Sequence, residues 1–163
     1  MRQFRIRTVL PSAILALLAA APVAAAKTTY QYTSAVMSAP VSTANGYPAP
    51  GGTAVLAGAL TTKPFGPGAL VDRVTITGQR APNVFALKGT ELALFQDGSS
   101  RNTFTGTATV QADGSQKLVV KGRITPGTGT GRYKNATGSY TFTGTIAAGS
   151  TVVTGSSRGT LTF

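Results

Sequence analysis

Acid–base chemistry in this chain rests on very few side chains. The 163 residues include 15 Lys and Arg but only four Asp and Glu. Asp72 has the most informative position, because it shares its alternation with Leu70 and Val74 and should therefore face inwards. A buried carboxyl group has a raised pKa and can act as an acid or a base. The simpler interpretation is a strand-end position near solvent, or an ion pair with an arginine.

Glu91 is the second candidate for a catalytic acid or base, and it is the only glutamate. One carboxylate without a visible partner is weak evidence for catalysis, so a surface charge is the simpler interpretation. The chain has no His and no Cys, which excludes a Ser-His-Asp triad, a thiol nucleophile, a disulfide and a Cys/His zinc site. We expect no metal and no cofactor, and the composition leans away from an enzyme.

Three tyrosines join Asp72 as candidate ligand-binding residues, namely Tyr30, Tyr32 and Tyr140. A tyrosine combines a large apolar ring with a polar hydroxyl, which suits the wall of a cavity for a small hydrophobic molecule. Aromatic packing in the core explains the same three residues equally well.

The elements that must position these residues are β-strands. Apolar and polar residues alternate with period two in several segments, for example over residues 104–110, and helical spacing is not seen. Such alternation gives each strand one buried face and one solvent-exposed face, which indicates an antiparallel sheet. Turn pairs such as Asp97-Gly98 and Asp113-Gly114 separate the segments. The sequence predicts a long loop over residues 38–52 and eight strands near residues 28–37, 53–60, 70–79, 83–95, 102–112, 116–125, 138–147 and 150–163.

Glycine recurs on the apolar side of the predicted strands. Glycine weakens the interior of a strand unless it permits a bend or a close approach, and strongly curved sheets use glycine kinks to close. We therefore predict one all-β domain over residues 27–163, a single eight-stranded antiparallel β-barrel, with a β-sandwich as the alternative. The glycines that carry this prediction are Gly58, Gly78, Gly106, Gly122 and Gly144.

The first 26 residues have the three parts of a secretory signal peptide. Three arginines precede an apolar run over residues 13–21, and small residues follow up to Ala24 and Ala26. The apolar run is shorter than the ~20 residues needed to span a bilayer. We expect cleavage near Ala26, secretion to the extracellular space or the periplasm, and no stable membrane insertion afterwards. Residues 27–163 then carry twelve cations and four acids, a net charge of +8.

The most distinctive segment is residues 127–139, with the spacing G-x-G-x-[FY]-x-x-A-x-G between two predicted strands. Because no helix follows, it is neither a phosphate-binding P-loop nor a dinucleotide fingerprint. It resembles a run found in the allene oxide cyclase barrel and dirigent-protein superfamily, and especially in small secreted bacterial members of unassigned function. The matched residues fit a tight connection, an aromatic plug and close packing. They are Gly129, Gly131, Tyr133, Ala136 and Gly138.

The resemblance implies an eight-stranded antiparallel barrel with an apolar cavity, in which plant relatives hold a hydrophobic molecule and control its cyclisation or coupling. The predicted first strand has no acidic residue, so no catalytic residue of the family can be placed here. The leading hypothesis is a secreted, soluble, noncatalytic barrel that binds a small hydrophobic molecule or serves as an extracellular structural module. The alternatives are an isomerase-like, cyclase-like or coupling-directing barrel for a hydrophobic substrate, and a cell-surface adhesion module.

The basic residues are spread along residues 27–163 and form no run. A nucleic-acid platform needs clustered cations with interleaved aromatic residues, so no specific nucleic acid is predicted. We expect only nonspecific attraction to anionic surfaces. Arg132 and Lys134 flank Tyr133 and form either a small anion-binding point or, more simply, a solvated turn. The sequence does not predict an oligomeric state.

Overall fold

The computed structural model describes residues 27–163, which form an all-β domain. The predicted signal peptide, residues 1–26, lies outside the described residues. Within residues 27–163, no helix is long and apolar enough to cross a membrane. The strands are β1 (Thr29–Ala44), β2 (Thr53–Lys63), β3 (Gly66–Ala81), β4 (Val84–Phe95), β5 (Gly98–Val110), β6 (Gln116–Ile124), β7 (Thr130–Gly131), β8 (Thr137–Ile146) and β9 (Val153–Thr162).

Eight of these strands close into an antiparallel barrel, which confirms the predicted fold class. Their order around the barrel is β1-β2-β3-β4-β5-β6-β8-β9, and β9 pairs again with β1. The sheet is therefore continuous, whereas a β-sandwich would consist of two sheets packed face to face. β7 is an additional strand of two residues that pairs with Gly98 and Ser99 at the start of β5.

The predicted loop over residues 38–52 is wrong in its first half. β1 continues to Ala44 and stays paired with β2, with a register shift between Pro40 and Ser42. Proline lacks the N–H that a strand interior needs, but a strand tolerates it at such an irregularity. Only residues 45–52 form the connection to β2. The Ala-, Ser- and Pro-rich composition therefore concealed a strand.

Two inner-facing glycines lie beneath aromatic rings of neighbouring strands. The ring of Tyr140 on β8 covers Gly122 on β6, and the ring of Phe104 on β5 covers Gly89 on β4. A Cβ atom at either glycine would overlap the ring above it. This arrangement admits large rings into a tightly curved interior without pushing the strands apart. Gly122 thus supports the curvature that the sequence predicted from it, and Gly89, which was not among the glycines used for that prediction, has the same role.

One end of the barrel is closed by an aromatic plug, which we define as Phe65, Phe95, Tyr133 and Phe163. Tyr133 is 2% exposed, and its ring stacks on that of Phe95 with the centroids 5.1 Å apart. The Phe65 and Phe163 rings meet edge to face at 5.9 Å. Both rings also contact Tyr133, with centroids 6.3 and 5.6 Å from it. Four rings from separate segments therefore seal this end.

Arg132 covers the plug from the outside. Its guanidinium carbon lies 4.6 Å from the centroid of the Phe163 ring, which is a cation–π distance. Its Nη1 forms an ion pair with Asp97 Oδ2 at 2.9 Å. The charge of Arg132 already has a partner, so the structure disfavours the anion-binding point considered for Arg132 and Lys134.

The motif of residues 127–139 forms the connection that carries the plug. Gly131 has a φ of 56°, in the left-handed region that favours glycine. At Gly129 and Gly138, a Cβ atom would overlap backbone carbonyl oxygens of adjacent segments. Ala136 is 1% exposed, and Tyr133 belongs to the plug. All five residues therefore have conformational or packing roles.

Candidate functional site

The barrel encloses a cavity of about 240 Å³. It extends from the end opposite the plug to the middle of the barrel, and all eight barrel strands contribute to its wall. The wall is mainly apolar, because the inner-facing positions of the strands are mainly apolar. It includes Leu56, Ile76, Leu87, Leu118, Val120 and Ile146.

The connection between β1 and β2 borders the open end of the cavity. Tyr47 in this connection lines the cavity and packs against the main apolar core. The backbone beside it is fixed to β3. The N–H of Gly51 donates to the carbonyl of Ile76 at 2.8 Å, and the N–H of Ile76 donates to the carbonyl of Gly52 at 2.9 Å. The entrance therefore has one wall held by main-chain hydrogen bonds.

Two carboxyl groups face each other on the cavity wall. Asp72 on β3 and Glu91 on β4 are directly opposite in the antiparallel pair, and both line the cavity. Directly opposite side chains on one face of a sheet have Cβ atoms roughly 4.5–5.5 Å apart. Asn102 on β5 is opposite Glu91 and extends the row. The register of three strands thus brings three polar side chains together inside the barrel.

Glu91 receives hydrogen bonds from two donors. Asn102 Nδ2 donates to Oε1, and the Tyr140 hydroxyl donates to Oε2 at 3.4 Å. Asp72 differs, because its Oδ1 is enclosed and has no hydrogen-bond partner among the described residues. We refer to Asp72, Glu91, Asn102 and Tyr140 together as the polar floor of the cavity.

Burial controls the protonation of the two acids. Burial, and then the nearby Glu91 carboxyl, raise the pKa of Asp72 to about 8. Burial also raises the pKa of Glu91, although hydrogen bonds from Asn102 and Tyr140 act in the opposite direction. Two facing carboxyl groups in a poorly hydrated site do not readily both ionise. The pair therefore retains a proton at neutral pH, and the floor offers both a hydrogen-bond donor and an acceptor.

The structure places Asp72 on the inner face, where the alternation put it, and corrects the interpretation of Glu91. The surface charge expected for Glu91 is wrong, because its side chain faces the cavity. It shares the inner face of β4 with Leu87 and Ala93. Because Gly89 interrupts this apolar series, the alternation that places Glu91 on the inner face was not recognised. Asn102 was missed, although it shares the alternation of Phe104 and is 5% exposed.

The three candidate tyrosines occupy three different places. Tyr140 lines the cavity. Tyr32 instead borders a second cavity of about 50 Å³, which lies between Glu91 and the plug. Tyr30 lines neither of these two cavities, and its ring is 36% exposed and lies edge-on to Phe65 and Phe163. Tyr30 is the second residue of β1 and lies opposite Leu161 on β9.

Metal-binding chemistry has little support in the described part of the chain. There, Asp and Glu nowhere form a group of three or more that could hold a metal ion. Only two side chains of the polar floor are carboxyls, and the pair retains a proton at neutral pH. The polar floor is better suited to hydrogen bonding and proton transfer than to holding a metal.

The chain matches no protein-family model, no curated protein and no solved structure. The resemblance of residues 127–139 to the allene oxide cyclase and dirigent-protein superfamily therefore stays a prediction. No relative indicates a function for this chain, so its cavity is the main feature that bears on function.

Proposed function

We propose that this protein is a secreted, noncatalytic β-barrel that binds one small hydrophobic molecule in its cavity. The cavity itself carries the proposal, because it combines about 240 Å³ of space with a mainly apolar wall. Protein interiors are close-packed and contain few voids larger than a water molecule. Ligand sites, in contrast, are concave and mostly apolar, with a few placed polar groups. The barrel interior has these features.

The volume limits the size of the ligand. At about 240 Å³, the cavity is far larger than the space that one water molecule needs. Sites for drug-sized ligands are larger, roughly 300–1,000 Å³. The ligand should therefore be a small molecule, such as a single substituted ring or a short chain.

Filling the cavity with a side chain tests this function. Ala108 is 6% exposed and lines the cavity, so the ring introduced by Ala108→Phe would occupy the space of the ligand. We expect the wild-type protein to bind 2-phenylethanol with 1:1 stoichiometry. The variant should lose about tenfold or more in affinity, equivalent to about 1.4 kcal/mol. Isothermal titration calorimetry measures both quantities.

Ala59 on β2 provides the matched control, because it is exposed on the outer face of the barrel. Ala59→Phe adds the same ring outside the cavity and should leave the affinity unchanged. Equal affinities in the two variants, or no binding by the wild type, would contradict the proposed function.

A second candidate function is an isomerase-like or cyclase-like reaction on a hydrophobic substrate. The facing Asp72 and Glu91 favour it, because a protonated and an ionised carboxyl at one site can give and take a proton. The predicted resemblance to allene oxide cyclases points in the same direction. Conversion of a substrate at an undiminished rate by both Asp72→Asn and Glu91→Gln would remove this candidate.

The outer wall supports a weaker, additional interaction. All twelve Lys and Arg of residues 27–163 are exposed, whereas two of the four acids face the cavity. We propose that this basic wall is attracted nonspecifically to anionic surfaces outside the cell. Retention on anionic vesicles should then fall steeply as the salt concentration rises. A cell-surface adhesion module would depend on this wall and would not need the cavity.

A further inference from the structure

We propose that the preferred ligand of the cavity is a small apolar amine, bound as its ammonium form with the cation on the polar floor. This inference rests on the proposed function, because it names the chemical class of the ligand at the same site. The hydrocarbon part of such a molecule would contact the apolar wall. Its charged group would lie against Asp72 and Glu91.

The distribution of charge in the barrel favours a cation. Two carboxyl groups line the cavity, and none of its lining residues within residues 27–163 is a Lys or an Arg. A buried charge is stable only when it is paired, so the floor lacks the positive partner that would allow both acids to ionise. An ammonium supplies that partner. A carboxylate ligand would instead add a third acid to an uncompensated pair.

The hydrogen bonds of the floor also favour a donor-rich ligand. Glu91 already accepts bonds from Asn102 and Tyr140, whereas Asp72 Oδ1 has no partner among the described residues. A buried acceptor without a donor is unfavourable, because it has lost its hydrogen bonds to water and gained none in the protein. An ammonium brings three donors and no acceptor. The terminal torsion of an Asp side chain is soft, so its carboxyl can turn towards such a ligand.

The rings around the floor suit a cation as well. Tyr140 and Phe104 both line the cavity, and Tyr140 is itself part of the floor. The negative faces of aromatic rings attract ammonium groups, especially in sites that exclude water. The cavity therefore combines anionic, hydrogen-bonding and aromatic contacts for one cation.

Binding of an amine should be coupled to the titration of Asp72. The titratable groups that face Asp72 are Glu91 on β4 and Tyr140 on β8, while Tyr32 on β1 lies near Glu91 in the neighbouring cavity. β2 presents the apolar Leu56 opposite it. Both tyrosines have a raised pKa and stay protonated, so no nearby cation holds Asp72 ionised. An arriving ammonium would therefore displace a proton from the acid pair.

Isothermal titration calorimetry with three matched probes tests the proposal. The probes are 2-phenylethylamine, 2-phenylethanol and 3-phenylpropanoate, which differ mainly in the charge of the polar group. At pH 8 we expect the amine to bind at least tenfold more tightly than the alcohol, and the carboxylate to bind most weakly. At pH 7, about one proton should be released for each amine bound. The affinity for the amine should then rise by about tenfold between pH 6 and 7, and less steeply as the pH approaches 8.

Asp72→Asn and Glu91→Gln remove one negative charge each while keeping the shape of the side chain. Each should reduce the preference for the amine over the alcohol by about tenfold, and the double variant should abolish it. Asp113→Asn changes the net charge equally, but Asp113 is an exposed residue in the turn between β5 and β6, so the preference should persist. If either floor variant does not fold, the affinities of the wild-type protein for the three probes, and the number of protons it releases per amine bound, still test the amine proposal.

Two negative results have different meanings. Binding of the alcohol as tight as that of the amine, or a preference that survives in the double variant, would overturn the amine proposal and leave the proposed function standing. No binding of any of the three probes would overturn both.

Discussion

Raising the pH from about 5 to about 8 will lower the free energy of unfolding of this protein. Most proteins gain or keep stability over this range, because their carboxylates are better stabilised when folded. Here the pKa of Asp72 is raised from 3.8 to about 8 by burial and by Glu91. The folded state therefore holds a proton that the unfolded state has already released. In such a case, stability falls as the pH rises towards the folded pKa.

Few side chains can titrate in this window, from pH 5 to 8, because the sequence has no His and no Cys. Hydrogen bonds from Arg132 and Ser115 lower the pKa values of Asp97 and Asp113, so both titrate below the window. Asp72, with its pKa raised to about 8, is therefore the side chain of residues 27–163 expected to set the pH dependence of stability in this window. One retained proton corresponds to a slope of about 1.4 kcal/mol per pH unit, or roughly 3–4 kcal/mol between pH 5 and 8.

Urea unfolding at several pH values measures this slope. Asp72→Asn should make the profile less steep, because one of the two facing acids can no longer titrate, and should raise the stability at pH 8. Asp113→Asn should leave the slope between pH 5 and 8 unchanged. A wild-type profile that is flat or rises over this range would show that the floor carboxyls are not protonated as the structure indicates.

Replacing Tyr133 by alanine will be the most destabilising change in the motif of residues 127–139. The side chain is 2% exposed and contacts three other rings of the plug. Deleting a buried aromatic ring typically costs about 3–5 kcal/mol, because apolar burial is lost and a cavity remains. A fall of that size in the free energy of unfolding at pH 5 is expected for Tyr133→Ala.

Tyr133→Phe separates the ring from the hydroxyl. The hydroxyl oxygen is enclosed and has no hydrogen-bond partner among residues 27–163, so its removal should change stability by less than about 1 kcal/mol. A loss of only about 1 kcal/mol in Tyr133→Ala would mean that the plug does not seal the barrel as described.

The strands were predictable because threonine and apolar residues alternate in them. The alternation over residues 104–110 belongs to β5, and the inner glycines correctly indicated a closed barrel. β1 was predicted too short, because Pro40 falls where the register shifts and its neighbours are small. Periodicity describes which face a residue occupies, but it does not show where a strand tolerates an irregularity.

The sequence predicted only part of the polar floor, because the floor depends on the register between β3 and β4. Alternation placed Asp72 inside, yet nothing in the sequence aligns Asp72 with Glu91, which is nineteen positions away. That alignment follows from the turn between β3 and β4 and its register shifts. The volume of the cavity is less accessible still, since it depends on side chains from all eight barrel strands packing together.

The position of a bound ligand decides whether the barrel binds small molecules in its interior, and two adjacent valines report that position. Val120 lines the cavity, whereas Val119 is 45% exposed on the outer face of β6. Nuclear Overhauser effects between 2-phenylethanol and assigned methyl groups distinguish the two positions. We predict contacts with Val120 and with the neighbouring cavity residue Leu118. Contacts with Val119 alone, or with neither valine at saturating ligand, would show that the barrel interior is not a ligand-binding cavity.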